Sequence, residues 1–404
     1  MIQIAILGFG VVGSGTAEVL TENQRLIAAH CGEEVNIRYI LDLRDFPEHP
    51  LGSRVVHDID VILRDPEVSV VAEMMGGSHP AYDFSKAALE AGKSVVTSNK
   101  EVVATYGAEL LALARSKGVY YLFEASVGGG IPIIRPLQND LACNEILSIS
   151  GILNGTTNFI LTKMKKEGVS FADALAEAQA NGYAEANPAA DVDGLDAARK
   201  IVILAALAFG ILVSPSQIPV EGISHITSEQ TAVADAVGCA VKLIGHTERI
   251  GGRVLALVAP HMVPEANPVN HIEGVFNGIL VDADMLGRAL FYGAGAGKLP
   301  TASAVVSDIL STAPSAGKPN LPQWRQAAAD DIADPADRCC RRCFLLEGDA
   351  AAAEKAKTFF GYDSFAVFGN GSFAFLSRPM TGREAERALT ESGKTLRWVM
   401  PVLD

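Results

Sequence analysis

Gly8-Phe9-Gly10-Val11-Val12-Gly13 follows the apolar run Ile2–Leu7 and opens a stretch with helical spacing. In that strand–turn–helix setting each glycine has a task. Gly8 permits the tight turn, Gly10 lets the backbone approach a diphosphate, and Gly13 lets helix and strand pack closely. The diphosphate then rests on the free N–H groups at the helix N-terminus. The pattern predicts a bound dinucleotide. The second extended run ends Leu41-Asp42-Leu43-Arg44-Asp45. A carboxylate there accepts from the ribose 2′-hydroxyl of NAD, whereas an arginine pairs with the 2′-phosphate of NADP. Asp42 and Arg44 supply both types, so the choice of cofactor stays open, and the segment reads equally as a solvated loop.

Three further segments carry polar residues that a plain scaffold does not need. Lys100 closes Thr97-Ser98-Asn99-Lys100 at the C-terminal end of a strand, the edge where α/β sheets place ligands. A lone lysine there is more often simply solvated. Glu124-Ala125-Ser126-Val127-Gly128-Gly129-Gly130-Ile131-Pro132 sets three glycines ahead of a proline. Such a backbone suits either a ligand or ion, or a hinge between domains. The third segment runs from Gly182-Tyr183-Ala184-Glu185 through Asp191-Val192-Asp193-Gly194-Leu195-Asp196 to Arg199-Lys200. Asp196 and Lys200 share one helix face, and such a pair is ordinarily a surface ion pair worth little. After Lys200, however, the next charged residue is Glu221. The pair therefore sits at the rim of a buried helix, where a lysine can act as proton donor or acceptor if its neighbours tune its pKa.

The elements that must position these residues follow from hydrophobic spacing. Extended runs at 2–7, 35–41, 68–75, 94–97 and 120–124 alternate with helical stretches at 11–29, 82–91 and 102–116. That alternation predicts βαβ units and a parallel, Rossmann-type sheet. Past Pro132 the pattern changes to a strand at 146–153, helices at 157–167, 171–181 and about 194–210, and strands around 241–246, 254–259, 279–282 and 289–292. This reads as a second, α+β domain. A helix at 301–310 has Thr301 as its expected N-cap. The tail, 341–402, reads strand, helix, strand, strand, helix, strand, a small ferredoxin-like unit. The expected organisation is a cofactor domain at 1–132 completed by helix 301–312, a second domain at 133–300, a linker at 313–337 and a small domain at 338–404.

With 404 residues, 49% hydrophobic and 20% charged, the chain has room for two or three cored domains, and its net charge of −14 disfavours nucleic acid or an anionic membrane as partner. The longest uncharged stretch, 201–220, is interrupted by Gly210, Pro215 and Pro219, which suits a buried helix rather than a membrane span. The start Met1-Ile2-Gln3-Ile4 lacks the basic opening of an export signal, so a cytoplasmic location is expected. The six cysteines are expected to be reduced thiols. Among them, Cys339-Cys340-Arg341-Arg342-Cys343 lacks the second ligand pair that a zinc site needs.

Taken together these segments resemble homoserine dehydrogenase over about residues 1–315. The matching stretches are 8–13, Met74-Met75-Gly76-Gly77, 97–100, 124–132, Gly151-Ile152-Leu153-Asn154-Gly155-Thr156-Thr157-Asn158, 178–200, and Gly293-Ala294-Gly295-Ala296-Gly297 with Pro300-Thr301-Ala302-Ser303. The resemblance implies NAD(P)-linked interconversion of L-homoserine and L-aspartate 4-semialdehyde, towards threonine and methionine, by a monofunctional homodimer or higher homo-oligomer. It implies Lys200 as the general acid and base, and Lys100 as a second lysine between nicotinamide and substrate. Glu185 would bind the substrate amine, with Asp191 and Asp196 in the same polar network. Cofactor contacts would come from Gly8, Phe9, Gly10, Val11, Val12, Gly13, Asp42, Arg44, Gly76, Ser98, Lys100, Gly182 and Gly297. Glu124, with the backbone of Val127, Gly129 and Ile131, matches a site for a monovalent cation, Na⁺, of structural purpose.

This family often ends in an ACT domain, an effector-binding unit with a proline in its first strand–helix turn. Here that turn reads Leu346-Glu347-Gly348-Asp349-Ala350, without proline. The expectation is a degenerate ACT-like domain serving oligomer contacts more than regulation. Two rivals remain. A semialdehyde dehydrogenase acting through a cysteine would rest on Cys143, which has no histidine near it in sequence. A non-catalytic dinucleotide sensor leaves Lys100, Glu185 and Lys200 without a task.

Overall fold

The computed structural model describes residues 1–313, 317 and 319–404, and the chain divides into two compact units. The first comprises Met1–Glu145, Val202–Pro215 and Phe291–Ala327; the second comprises Ile146–Ile201, Ser216–Leu290 and Ala328–Asp404.

The first unit is built on a six-stranded parallel sheet, in the order Val55–Val56, Val35–Leu41, Ile2–Leu7, Val68–Glu73, Ser94–Thr97, Tyr121–Leu122. The run Ile2–Leu7 is almost continuously apolar because helices cover both faces of a parallel sheet. The strand order reverses at Ile2–Leu7, the point where such sheets open a ligand crevice beyond their C-terminal ends. The helical stretch expected at 11–29 is two helices, Val11–Glu22 and Gln24–Cys31, separated at Asn23. Thr301 is not an N-cap. The helix is Lys298–Leu310 with Gly297 before it, and Pro300 falls in the first turn, where a missing N–H costs nothing. Its Ala304, Val305, Val306 and Ile309 join the same core as Ile4, Ile6 and Val96.

The polar stretch expected to be a linker is partly structured. Arg325–Gln326 pairs in parallel with Ile211–Leu212, and Trp324 is buried against Phe123. Residues 314–316 and 318 of that stretch lie outside the described residues.

The second unit carries a five-stranded sheet in the order Arg253–Pro264, Cys239–Ile250, Ile146–Ile152, Phe276–Ala283, Gly287–Ala294. Cys239–Ile250 runs antiparallel to both of its neighbours, and Phe276–Ala283 antiparallel to Ile146–Ile152. A helix that the spacing did not announce, Ser228–Ala236, starts with a Thr227/Gln230 capping box. The C-terminal segment forms the expected strand–helix–strand–strand–helix–strand series. Its antiparallel sheet is ordered Phe365–Phe368, Ser372–Leu376, Arg342–Glu347, Leu396–Pro401 over a core containing Phe344, Phe360, Phe373 and Phe375. Among the described residues no helix is long and apolar enough to cross a membrane.

Trp324 explains a glycine inside the helix Lys100–Lys117. A Cβ on Gly107 would lie 2.7 Å from the Trp324 ring, too close for a rigid aromatic to yield. Gly107→Ala gains about 1 kcal/mol of helix propensity but overpacks by about 1–3 kcal/mol. The expected outcome is a lower urea midpoint; a higher one would mean that the indole moves aside freely.

Candidate active site

The glycine turn has the geometry its pattern requires. Gly8 has φ of 86°, and a Cβ on Gly13 would lie 2.0 Å from the Gly8 carbonyl oxygen, so no side chain fits there. Nothing lies within 4 Å of the Cβ position of Gly10, which leaves that backbone open to a ligand. Asp42 faces this turn. One of its oxygens accepts from the Phe9 N–H at 2.8 Å. The other accepts from the Arg44 N–H and Nε, both at 3.0 Å. The Arg44 guanidinium holds the Asp42 carboxyl down at about 2, and Arg44 itself remains 64% exposed beside the Phe46 ring.

Lys100 is the first residue of its helix, and the side chain of Asn99 caps that helix by accepting from the N–H groups of Glu101 and Val102. Gly76 and Ser98 belong to the two turns that follow neighbouring strands, Val68–Glu73 and Ser94–Thr97. Gly297 precedes the helix Lys298–Leu310 in the same unit, whereas Gly182 lies in the second unit, exposed after the helix Phe171–Ala180.

Glu124 is buried, and its carboxylate accepts from the N–H groups of Ile133, Ile134 and Arg135 at 2.7, 2.9 and 2.8 Å. Its side chain therefore anchors the backbone at 133–135. The carbonyl oxygens of the buried Val127, Gly129 and Ile131 receive no hydrogen bond from the described residues. Such orphaned acceptors are what an oxygen-ligated ion satisfies. Gly129 must be glycine: its Cβ would fall 2.6 Å from the Gly295 backbone. Asp308 accepts from the Glu124 N–H at 2.7 Å and from Arg135 at 3.3 Å, tying the loop to the helix Lys298–Leu310.

In the second unit the strand Ile146–Ile152 runs into Leu153 and Asn154, and Asn154 caps the helix Gly155–Glu167 through a 2.9 Å bond from the Thr157 N–H. Its amide nitrogen donates to Asp191 at 2.7 Å and to Asp196 at 3.0 Å. Asp196 in turn receives the Lys200 ammonium at 2.8 Å, and Lys200 also donates to the Leu153 carbonyl at 2.6 Å. Lys200 and Asp196 are 7% and 6% exposed, so the ammonium is held in a desolvated, pre-oriented position. The structure thus brings Asp191, Asp196 and Lys200 together. It does not add Glu185 to the cluster: that residue is exposed, and only its carbonyl is bonded, to Gln179.

Asn154 is the residue that the sequence reading missed. Its signal was present, an Asn-Gly-Thr-Thr string where a strand gives way to a helix, but such a string reads as an ordinary cap. Asp308 and Arg135 were missed because nothing in their local sequence marks them as partners of Glu124.

The thiols do not form a site. All six cysteines are free, Cys340 and Cys343 are buried, and burial pushes the Cys343 thiol far above its ordinary range. Among the described residues no group of histidine, cysteine and carboxylate side chains could hold a metal.

Comparison with known proteins shows the family. A family model described as homoserine dehydrogenase matches residues 132–310, and one described as homoserine dehydrogenase, NAD binding domain, matches 8–124. The chain is 44% identical to a homoserine dehydrogenase of Neisseria gonorrhoeae over 314 residues, 77% of this chain and 72% of that one. It is 40% identical to one of Pseudomonas aeruginosa over 345 residues, 84% and 80% of the two chains. Among solved structures, a homoserine dehydrogenase from Thiobacillus denitrificans superposes with a TM-score of 0.87 at 34% identity, covering 100% of this chain and 98% of that one. A hyperthermophilic archaeal homoserine dehydrogenase mutant in complex with NADPH gives 0.67 at 30% identity, covering 78% and 98%.

Burial, and then the charge of Glu124, push the Asp308 carboxyl up to about 7. A folded-state value raised above that of the unfolded chain means that the proton favours the fold. This contribution is complete below the ordinary carboxylate range and is lost as pH rises through about 7. Asp308→Asn mimics the protonated form. The wild-type protein should therefore lose stability relative to this variant as pH rises from about 4 to about 7 in urea titrations. A pH-independent difference would contradict it.

Proposed function

The chain belongs to the homoserine dehydrogenase family, and we propose that it interconverts L-homoserine and L-aspartate 4-semialdehyde with Lys200 as the proton carrier. The nicotinamide supplies or takes the hydride, so the protein has to orient the substrate and manage one proton. The observation that carries the proposal is the buried Asn154–Asp191–Asp196–Lys200 network. A lysine ammonium fixed from two sides suits protonation of a carbonyl oxygen that gains charge during reduction, and this supports the reading. Asp191 and Asp196 provide the negative field that suits the substrate's ammonium group, and Glu185, exposed in this structure, is proposed to join them on that group. Lys100, at the start of its helix, is proposed to act on the nicotinamide side.

For the cofactor, both oxygens of Asp42 are engaged by Phe9 and Arg44, while Arg44 remains exposed. This favours a 2′-phosphate over a 2′-hydroxyl, and we propose a preference for NADP. We propose Na⁺ at Glu124 and the backbone of Val127, Gly129 and Ile131, a reading that the carbonyl oxygens of the last three support. There it would supply positive charge that holds the loop closed. The expected domains serve as cofactor domain, catalytic domain and ACT-like tail, in a cytoplasmic enzyme. The exposed Leu147 and Leu290 lie on strands of the second unit's sheet, and Gly287–Ala294 is its edge strand, which supports a homodimer through that sheet. In the tail, Asp349 is spent as the cap of the helix Ala350–Phe360, and a Cβ on Gly348 would meet Ala352 at 2.6 Å. That packed turn supports contact rather than effector binding.

Turnover followed by nicotinamide absorbance tests the assignment. Lys200→Ala should lower kcat by about 100-fold or more and leave the cofactor KM unchanged. A variant of near-normal kcat would remove Lys200 from the proton path. Arg44→Ala should raise KM for NADPH by about tenfold, the worth of one charge-assisted hydrogen bond, and spare NADH. Equal effects on both cofactors would overturn the preference.

A further inference from the structure

At the C-terminal end of the strand Val68–Glu73 sits a carboxyl group that the reaction does not use. Glu73 has no exposed surface, and burial pushes its carboxyl up to about 7. A buried carboxyl in a parallel sheet is costly unless its hydrogen bonds are filled, and these are. One oxygen accepts from the Met75 N–H at 2.7 Å. The other accepts from the Thr97 hydroxyl at 2.6 Å, on the neighbouring strand. That hydroxyl accepts in turn from the Asn99 N–H at 2.9 Å. Asn99 then reaches back, donating to the Met75 and Gly77 carbonyls at 3.3 and 2.7 Å while its side-chain oxygen caps the helix that begins at Lys100. The result is a closed circuit joining the turn at 74–77 to the turn at 97–100. The first of these turns also backs the glycine turn: a Cβ on Gly8 would lie 2.9 Å from Met75 and 3.0 Å from the Met74 carbonyl.

We infer that Glu73 is a positioning residue for the dinucleotide, acting through Thr97 and Asn99 to hold the turns around Gly8, Gly76 and Lys100 in one binding-competent arrangement. The inference rests on the dinucleotide reading of the first unit. Without the circuit, the turns at 74–77 and 97–100, at the cofactor edge of the sheet, have to be ordered when the ligand arrives, and that ordering is subtracted from affinity. A carboxyl does this better than an amide, because both its oxygens accept. Glutamine in its place would offer an NH₂ to a Thr97 hydroxyl already holding the Asn99 N–H.

The test uses the full chain and compares wild type with Thr97→Val, Thr97→Ser and Glu73→Gln by fluorescence titration with NADPH and NADH and by steady-state kinetics. Thr97→Val keeps the shape of the side chain and removes only the hydroxyl, so it decides the matter even if Glu73→Gln does not fold. The expected result is a rise of about tenfold or more in dinucleotide Kd and cofactor KM for Thr97→Val and Glu73→Gln. The KM for L-homoserine should stay within about twofold, and Thr97→Ser should restore affinity to within about threefold. Unchanged cofactor affinity in folded Thr97→Val, or a Thr97→Ser variant as impaired as Thr97→Val, would overturn the inference. Wild-type turnover, measured first, separates the two readings: its absence would bring down the dehydrogenase reading itself.

Discussion

A lysine ammonium almost wholly removed from water is the constraint around which the second unit is arranged. Desolvating such a charge costs several kcal/mol unless opposite charge and hydrogen-bond acceptors are already in place. Lys200 meets that demand with Asp196 one helical turn away and with the carbonyl of Leu153 at the end of a strand. Asp196 then needs its own neighbour, and the amide of Asn154 serves it and Asp191 at once. Strand end, helix cap and acid–base pair are thus one structure. The sheet that supplies Leu153 and the helix that supplies Lys200 must pack in register for any of it to form, and Gly245, whose Cβ would lie 2.7 Å from Leu153, keeps that packing close.

The first unit solves a different problem, which is to leave backbone groups available. Gly8, Gly10 and Gly13 keep side chains away from one turn, and the loop at 127–131 leaves carbonyl oxygens without donors among the described residues. Open backbone is costly in a folded protein, so each such loop is held by carboxylates reaching in from behind. Asp42 takes the Phe9 N–H, and Glu124 takes three consecutive N–H groups at 133–135. The buried acidic residues Glu73, Glu124 and Asp308 likewise hold backbone in place.

Much of this was legible in the sequence, and the reasons are local. The glycine turn, the parallel strands and the tail's element order all write themselves as short-range patterns, and the strands at Ile2–Leu7, Val35–Leu41 and Ser94–Thr97 fall where spacing put them. Lys200 and Asp196 were visible because four residues along a helix is a fixed distance. What stayed hidden is long-range. Asp308 meets Glu124 across 184 residues, and no periodicity reports that. Thr301 was misread as a cap because its position after Pro300 looks like a start, whereas the first turn of a helix accepts proline readily. Asn154 was read past because one side chain does two jobs, and only the commoner one shows in the pattern.

That double duty at Asn154 has a consequence for how such a protein can change over time. A residue that both begins a helix and orders two carboxylates cannot drift towards serine, threonine or aspartate, although each of them caps helices well. None of those three side chains offers a two-hydrogen amide to both Asp191 and Asp196 while still accepting from Thr157. Substitutions that leave the helix intact would scatter the acids, so the position is closed to gradual exploration. Divergence towards other substrates has more room at exposed positions such as Glu185, where a new side chain leaves the Asn154 network intact.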